Sequence, residues 1–141
     1  MGYSAGAHFT NWLITQTDRF KFAISTAGMA NWISFYAQNE VPYLREIWLN
    51  SNPYQDVEFW NSISPITYIN NVKTPTLFSC GETDKRVPLP QSIEMWYALK
   101  RLGVPTKLLV FPRESHSIDE LNHQQFKIKE ELEWIKKYLP N

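Results

Sequence analysis

The chain has 141 residues, one domain's length, with 14 basic and 14 acidic side chains that cancel to a net charge of zero. Without a basic face it is not expected to bind nucleic acid or an anionic membrane, and no apolar stretch approaches the roughly 18 residues of a membrane span. Its one cysteine, Cys80, excludes a disulfide framework or a cysteine zinc cluster, and we expect it to be a small buried strand residue. No secretory signal is recognisable, so the compartment stays unassigned, with the cytoplasm slightly favoured.

Helix and strand patterns alternate in the first half of the chain. Apolar residues recur at helical spacing over residues 5–17, which predicts a helix. Residues 22–28 form a short apolar run that ends in glycine, as is typical of a buried parallel strand. Residues 29–70 are rich in aromatic side chains, with short helical patches near 41–50 and 56–62, and we expect this excursion to form a pocket wall.

The second half continues the alternation. Residues 76–81 read as a strand that follows a proline, and residues 91–102 as a helix that stops at a glycine. Residues 107–111 predict a third strand. The C-terminal segment is an amphipathic helix, with apolar residues every three or four positions from 128 to 139. Alternation of this kind predicts an α/β fold in which helices flank a parallel sheet.

A Gly-x-Ser-x-Gly motif opens the chain at residues 2–6, and this pattern can present a nucleophilic serine, Ser4, at a strand-to-helix turn. Asp84 and His116 each follow the end of a different predicted strand, so we expect all three side chains at one edge of the sheet. The chain order Ser, Asp, His is that of an α/β-hydrolase triad. A histidine accepts the serine proton, an aspartate orients that histidine, and the N–H of Ala5 is one expected oxyanion donor.

The position of this motif limits the fold. The sharp turn that presents the serine, called a nucleophile elbow, needs a strand that leads into it. Only Met1 and Gly2 precede Tyr3 and Ser4 in this chain. We therefore expect a partial α/β-hydrolase fold without its N-terminal strands, in which residues 1–141 form the C-terminal part of a catalytic domain. We also expect Gly2 and Gly6 to leave room for the strained turn and for close packing of the helix on the strand.

Other side chains compete for the same roles. We expect His8 to be an ordinary packed helix residue and His123 to face solvent. His116, Asp119 and His123 can be drawn as a metal site, but their spacing fits no strong ligand pattern, so we expect no metal. Three further aspartates compete with Asp84, and its strand-end position favours Asp84 over them: Asp18, Asp56 and Asp119.

The chain resembles the C-terminal catalytic region of the prolyl oligopeptidase family of serine peptidases, which includes acylaminoacyl peptidases and dipeptidyl peptidase IV. The resemblance implies that Ser4 is the nucleophile, Asp84 the orienting acid and His116 the general base, with no metal or organic cofactor. The likeness runs through nearly the whole chain and is carried by the triad motifs together with the segments 17–21, 31–36, 64–65, 71–77, 81–88 and 99–105.

The resemblance also implies a set of substrate-binding residues. Arg86 and Val87 match positions that contact the substrate backbone and line the pocket for the residue before the scissile bond. Trp32 and Tyr36, with Phe35 between them, fall in the segment that walls this pocket.

Two local features depart from the family pattern. Tyr3 and Ala7 stand where the family usually has glycines around the serine, and Ser117 replaces the glycine that commonly follows the histidine. In the family a second oxyanion donor comes from an earlier loop, which these 141 residues do not include.

We therefore expect a serine hydrolase for peptide or N-acyl-peptide bonds that is weak or inactive as residues 1–141 alone. The expected partners are a peptide substrate and, through an exposed sheet edge, a second copy of the chain. A small-ester carboxylesterase and a non-catalytic fragment that acts by association remain the alternatives.

Overall fold

The structure, a computed structural model, describes residues 1–139. Its centre is a parallel sheet of four strands, which lie side by side in chain order: β1 (Gly2–Tyr3), β2 (Ala23–Thr26), β3 (Thr76–Gly81) and β4 (Thr106–Phe111). The α-helices are α1 (Ala5–Gln16), α2 (Trp32–Gln38), α3 (Tyr43–Leu49), α4 (Val57–Ser62), α5 (Leu89–Arg101) and α6 (Leu121–Tyr138). A 3₁₀ helix spans Pro65–Asn71.

Helices cover both faces of the sheet. Successive side chains of a strand point to opposite faces, and β3 shows the result. Phe78 packs in a buried cluster with Ile14 of α1 and Leu99 of α5. Its neighbour Leu77 packs on the other face, in a cluster with Trp134 of α6. The predicted α/β fold, a parallel sheet with flanking helices, is confirmed.

The excursion between β2 and β3 has an aromatic core of its own. Trp60 of α4 is fully buried and meets the rings of Trp32 and Tyr36 edge-on, at centroid distances of 6.1 and 5.6 Å. The predicted helical patches correspond to α3 and α4. The excursion also contains α2, which the sequence patterns did not predict and which begins where the Asn31 side chain accepts hydrogen bonds from the N–H groups of Ile33 and Ser34.

Some helix and strand ends differ from the predicted ones. Helix α6 begins at Leu121, seven residues before the apolar repeat, because its first two turns are largely polar and leave no periodic signal. Strand β1 has only two residues, which pair in parallel with Ser25 and Thr26, so a short strand does lead into Ser4. Within residues 1–139, none of the helices combines the length and the apolar character needed to cross a membrane.

Candidate active site

Ser4 occupies a sharp turn between β1 and α1. Its backbone has a positive φ of 56° with ψ −120°, which is strained for a residue other than glycine, and its N–H donates to the Thr26 carbonyl at 2.9 Å, which ties the turn to β2. A side chain at Gly2 would bring its Cβ within 2.1 Å of the Gly6 carbonyl oxygen, so the turn requires glycine there. The same expectation for Gly6 is wrong, because a Cβ at Gly6 would meet no atom within 4 Å among the described residues.

Ser4, His116 and Asp84 form a continuous chain of hydrogen bonds. His116 Nε2 lies 2.9 Å from Ser4 Oγ, and His116 Nδ1 lies 2.8 Å from Asp84 Oδ2. The Asp84 side chain is 0% exposed, whereas that of His116 is 24% exposed. The other carboxylate oxygen, Asp84 Oδ1, accepts from the N–H groups of Arg86 and Val87, both at 2.8 Å. This geometry holds the carboxylate fixed beneath the imidazole and leaves the imidazole in reach of the serine.

The loops after β3 and β4 are packed directly against each other. Strand β3 ends at Gly81, where a Cβ would lie 2.0 Å from the Ser115 carbonyl oxygen, so a larger residue cannot fit without movement. Thr83 binds the same loop, because its N–H and its hydroxyl both donate to the Glu114 carbonyl at 2.9 Å. These contacts hold the loop that carries Asp84 directly against the loop that carries His116.

A buried carboxylate, Glu114, organises the loop around His116. Its oxygens accept from the N–H groups of Asp119 and Glu120 at 2.9 Å and face His123 Nδ1 at 2.8 Å. The Asp119 N–H is the main cause that lowers the pKa of Glu114, and His123 lowers it further. The prediction that His123 faces solvent is wrong, because this bond and the Phe111 ring, 5.6 Å from the imidazole, draw it inward.

The structure does not bring together the three residues of the possible metal site, which are His116, Asp119 and His123. His116 binds Asp84, and the exposed Asp119 meets Glu114 only through its backbone N–H. Among the described residues, the acidic and imidazole groups that converge as a set of three are Glu114, Glu120 and His123. Since both oxygens of Glu114 already accept hydrogen bonds, this group is a hydrogen-bonded support for the loop.

Tyr3 contacts the candidate base, a role that the sequence patterns did not indicate. Its hydroxyl donates to the His116 carbonyl at 3.1 Å, and the two rings lie 5.1 Å apart between centroids. In the sequence, Tyr3 stood out only as a departure from glycine. The contact spans 113 positions along the chain, so only the folded structure could reveal it.

A cleft of about 1020 Å³ opens beside Ser4 and His116. Ala5 lines it as the first residue of α1, where the N–H groups of a helix have no partner within the helix. Arg86 and Val87 line it as well. Four of the predicted site residues therefore share one cavity with Ser4, namely Ala5, Arg86, Val87 and His116. The cleft has both apolar and charged walls.

Trp32 and Tyr36 lie behind the cleft and are not among the residues that line it. Trp32 is buried in the aromatic core of the excursion. Tyr36 packs against Tyr54 and donates its hydroxyl to Glu46, and this hydrogen bond is the main cause that raises the pKa of Tyr36 to about 12. Both rings also pack edge-on against Trp60 of the same excursion.

Two remaining candidates have structural surroundings. His8 packs edge-on against Trp32 at 5.2 Å, and burial lowers its pKa, which fits the expected packed helix residue. Cys80 is fully buried in β3, as predicted. Burial is also the main cause that raises the pKa of its thiol to about 12, with the Asp84 carboxylate adding to the effect. A thiol with this pKa stays protonated at neutral pH and is a poor nucleophile.

Known proteins resemble the chain over its whole length. The model of the prolyl oligopeptidase family matches residues 1–141. The uncharacterized peptidase YuxL of Bacillus subtilis is 39% identical over 129 residues, which are 91% of this chain and 20% of that protein. The acylamino-acid-releasing enzyme of Arabidopsis thaliana is 32% identical, over 98% of this chain and 19% of that protein.

Solved structures agree with the sequence comparison. The acylaminoacyl peptidase of Pyrococcus horikoshii superposes with a TM-score of 0.91 at 30% identity, over 98% of this chain and 23% of that one. The chain thus spans about one fifth of the length of the curated relatives that it matches. A serine at a strained turn, with a histidine and a buried aspartate in line behind it, is found here in a chain that belongs to the prolyl oligopeptidase family.

Proposed function

We propose that residues 1–141 carry the catalytic triad of a serine peptidase that cleaves peptide or N-acyl-peptide bonds through an acyl-enzyme. The hydrogen bond from Ser4 Oγ to His116 Nε2, at 2.9 Å, is the observation that carries this proposal. Family membership supports hydrolysis of peptides, and two of the similar proteins are named as acylamino-acid-releasing or acylaminoacyl peptidases, which favours N-acyl peptides among the substrates.

In the proposed reaction Ser4 Oγ attacks the carbonyl carbon of the scissile bond while His116 Nε2 accepts its proton. Asp84 keeps the other ring nitrogen protonated and stabilises the imidazolium. The N–H of Ala5 donates to the developing oxyanion. His116 then protonates the leaving amine, the C–N bond breaks, and a water activated by the same imidazole hydrolyses the acyl-enzyme and restores Ser4.

The substrate-binding roles of the other predicted residues follow from their positions. Val87 supplies an apolar wall of the cleft. Arg86 pairs with Glu40 at 2.6 Å, but the two side chains are 51% and 39% exposed, so the pair costs little to open when a substrate backbone approaches. We propose that Trp32 and Tyr36 contribute indirectly, because they pack in the aromatic core that supports the cleft wall.

The test is labelling of the 141-residue chain with a fluorophosphonate, read by intact mass. We expect one adduct on the wild-type chain and none on a Ser4→Ala variant, because the probe reacts only with an activated serine. Ser62→Ala is a matched control, because Ser62 is an exposed serine of α4 that does not line the cleft, and this variant is expected to label like the wild type. A folded wild-type chain without an adduct, or an adduct that persists in Ser4→Ala, overturns the proposal.

Turnover by residues 1–141 is proposed to be low. The resemblance places a second oxyanion donor on a loop outside these residues, and loss of one such donor costs roughly 10²- to 10³-fold in rate. Comparison of an N-acetyl-peptide anilide with a short acyl ester separates the peptidase from the carboxylesterase alternative. Because an ester is intrinsically more reactive than an anilide, each rate is divided by the uncatalysed hydrolysis rate of the same substrate. We expect the larger acceleration for the anilide, and a larger acceleration for the ester contradicts the peptidase assignment.

We also propose that residues 1–141 on their own self-associate. Strand β1 lies at one edge of the sheet, and exposed apolar side chains flank it, such as Leu13 on α1 and Ile128 on α6. An open strand beside apolar surface can pair with another chain. Sedimentation is expected to show a dimer or larger species that Ile128→Lys weakens, while Tyr97→Lys on the distant α5 does not. A wild-type monomer at micromolar concentration contradicts this.

A further inference from the structure

Arg45 is a buried cation in the wall of the candidate catalytic cleft. It lies on α3 and lines the same cleft as Ser4 and His116, yet the residue is only 6% exposed. Its guanidinium stands over the rings of Trp48 and Phe35, at 4.4 and 5.2 Å from their centroids. Contact with two rings fixes the position of a side chain that is otherwise long and flexible.

This cation lacks the partner that a buried charge normally has. Within residues 1–139, Arg45 Nε is buried without a hydrogen-bond acceptor, and the guanidinium forms no ion pair. The two aromatic rings contact the guanidinium but offer no oxygen to its five N–H donors. Burial lowers the pKa of Arg45, and the nearby charge of Arg86 lowers it further, as expected for an uncompensated cation.

The charges of the cleft favour an anion as that partner. Apart from His116, the cleft is lined by the cations of Arg45, Lys85 and Arg86 and by a single carboxylate, Glu40. Glu40 is bound to Arg86 Nε at 2.6 Å. The cleft therefore carries an excess of positive charge beside the serine, and a partly enclosed positive surface attracts anionic ligands.

We propose that Arg45 binds a carboxylate group of the substrate and makes acidic peptides the preferred substrate class of this cleft. A planar guanidinium held by aromatic rings can bind a carboxylate through two parallel hydrogen bonds, a geometry that an ammonium group cannot match. The carboxylate comes either from a Glu or Asp side chain or from a free peptide C-terminus. The inference builds on the proposed peptidase function, but it concerns binding and is tested without turnover.

The experiment measures peptide binding to the Ser4→Ala chain by calorimetry. The probes are acetyl-Ala-Ala-Ala-amide peptides with Glu at each of the three positions, each compared with Gln at the same position. A further pair compares acetyl-Ala-Ala-Ala with a free C-terminus and its amide. We expect at least one carboxylate peptide to bind about tenfold more tightly than its neutral counterpart, as hydrogen bonds to a charged group allow. The pair of peptides with the largest difference in affinity identifies the source of the carboxylate.

Variants then assign the preference to Arg45. In the Ser4→Ala background, Arg45→Met is expected to abolish the preference while neutral peptides bind as before, and Arg45→Lys is expected to restore only part of it. Lys85→Met is the matched control, because it removes one positive charge from the same cleft at an exposed side chain. It is expected to keep most of the preference. Circular dichroism and thermal melting check that each variant is folded.

Three outcomes overturn the inference. These are no preference for any carboxylate peptide, a preference that survives in folded Arg45→Met, or an equal loss in Lys85→Met. If Arg45→Met does not fold, the comparison of charged with neutral peptides on the Ser4→Ala chain still decides whether the cleft selects a carboxylate. Failure of the proposed function is separate, since it appears as a missing fluorophosphonate adduct on the wild-type chain.

Discussion

Replacement of Gly81 by alanine probes the contact that brings the two catalytic loops together. The added Cβ would lie 2.0 Å from the Ser115 carbonyl oxygen and 2.4 Å from that of Glu114. Real Cβ atoms essentially never approach closer than 3.0 Å, so the loop that carries His116 has to move by about 1 Å or more. A misplacement of ~1 Å costs roughly a hundredfold in rate, and overpacking of this kind costs about 1–3 kcal/mol of stability.

The assay is the rate of fluorophosphonate labelling of Gly81→Ala, together with its free energy of unfolding in urea. We expect labelling to slow by about a hundredfold and stability to fall by about 1–3 kcal/mol. Gly6→Ala is the matched control, since its Cβ meets nothing within 4 Å and lies in helix α1. Alanine there is expected to label normally and to add up to about 1 kcal/mol of stability. Wild-type labelling and stability in Gly81→Ala would refute the reasoning.

Further predictions concern three buried groups. Asp84→Asn is expected to slow labelling by about 10⁴-fold with the fold retained, because the amide favours the wrong tautomer of His116. A much smaller loss speaks against Asp84 as the residue that orients His116. Because the folded pKa of Glu114 lies below its ordinary value of 4.5, its carboxylate stabilises the fold above pH 4.5, and this stability is lost as the pH falls through the folded pKa. The free energy of unfolding in urea, measured from pH 7 to pH 3, should therefore fall less steeply in Glu114→Gln than in the wild type. Iodoacetamide at pH 8 is expected to leave Cys80 unmodified until the chain is unfolded, since burial raises its pKa to about 12.

The sequence patterns predicted the fold class because the signals of a parallel sheet are local. Buried strands such as 76–81 are short apolar runs bounded by proline and glycine, and the amphipathic helices repeat every three or four residues. Helix α2 escaped prediction, because seven residues make only two turns, which is too short for a helical period to stand out within an aromatic-rich segment. Its Asn31 cap was the signal that could have found it.

The candidate triad could be located from the chain because loops after parallel strands meet at one sheet edge, so strand order alone brings Ser4, Asp84 and His116 together. Side-chain direction had no such local signal. Trp32 and Tyr36 turn away from the cleft into an aromatic core, and His123 turns inward to Glu114. Each of these directions depends on partners that lie on other turns or in other loops.

By itself, then, the sequence determined the α/β alternation, the order of the three catalytic candidates and the family likeness, all of which follow from neighbours along the chain or from short motifs. Only the tertiary structure decided which side chains share the cleft. It placed Tyr3 against His116, Glu114 against the loop that carries His116, and Arg45 against two aromatic rings. The reason is physical: such contacts join loops and helices whose approach depends on how the whole core packs, so no local pattern carries them.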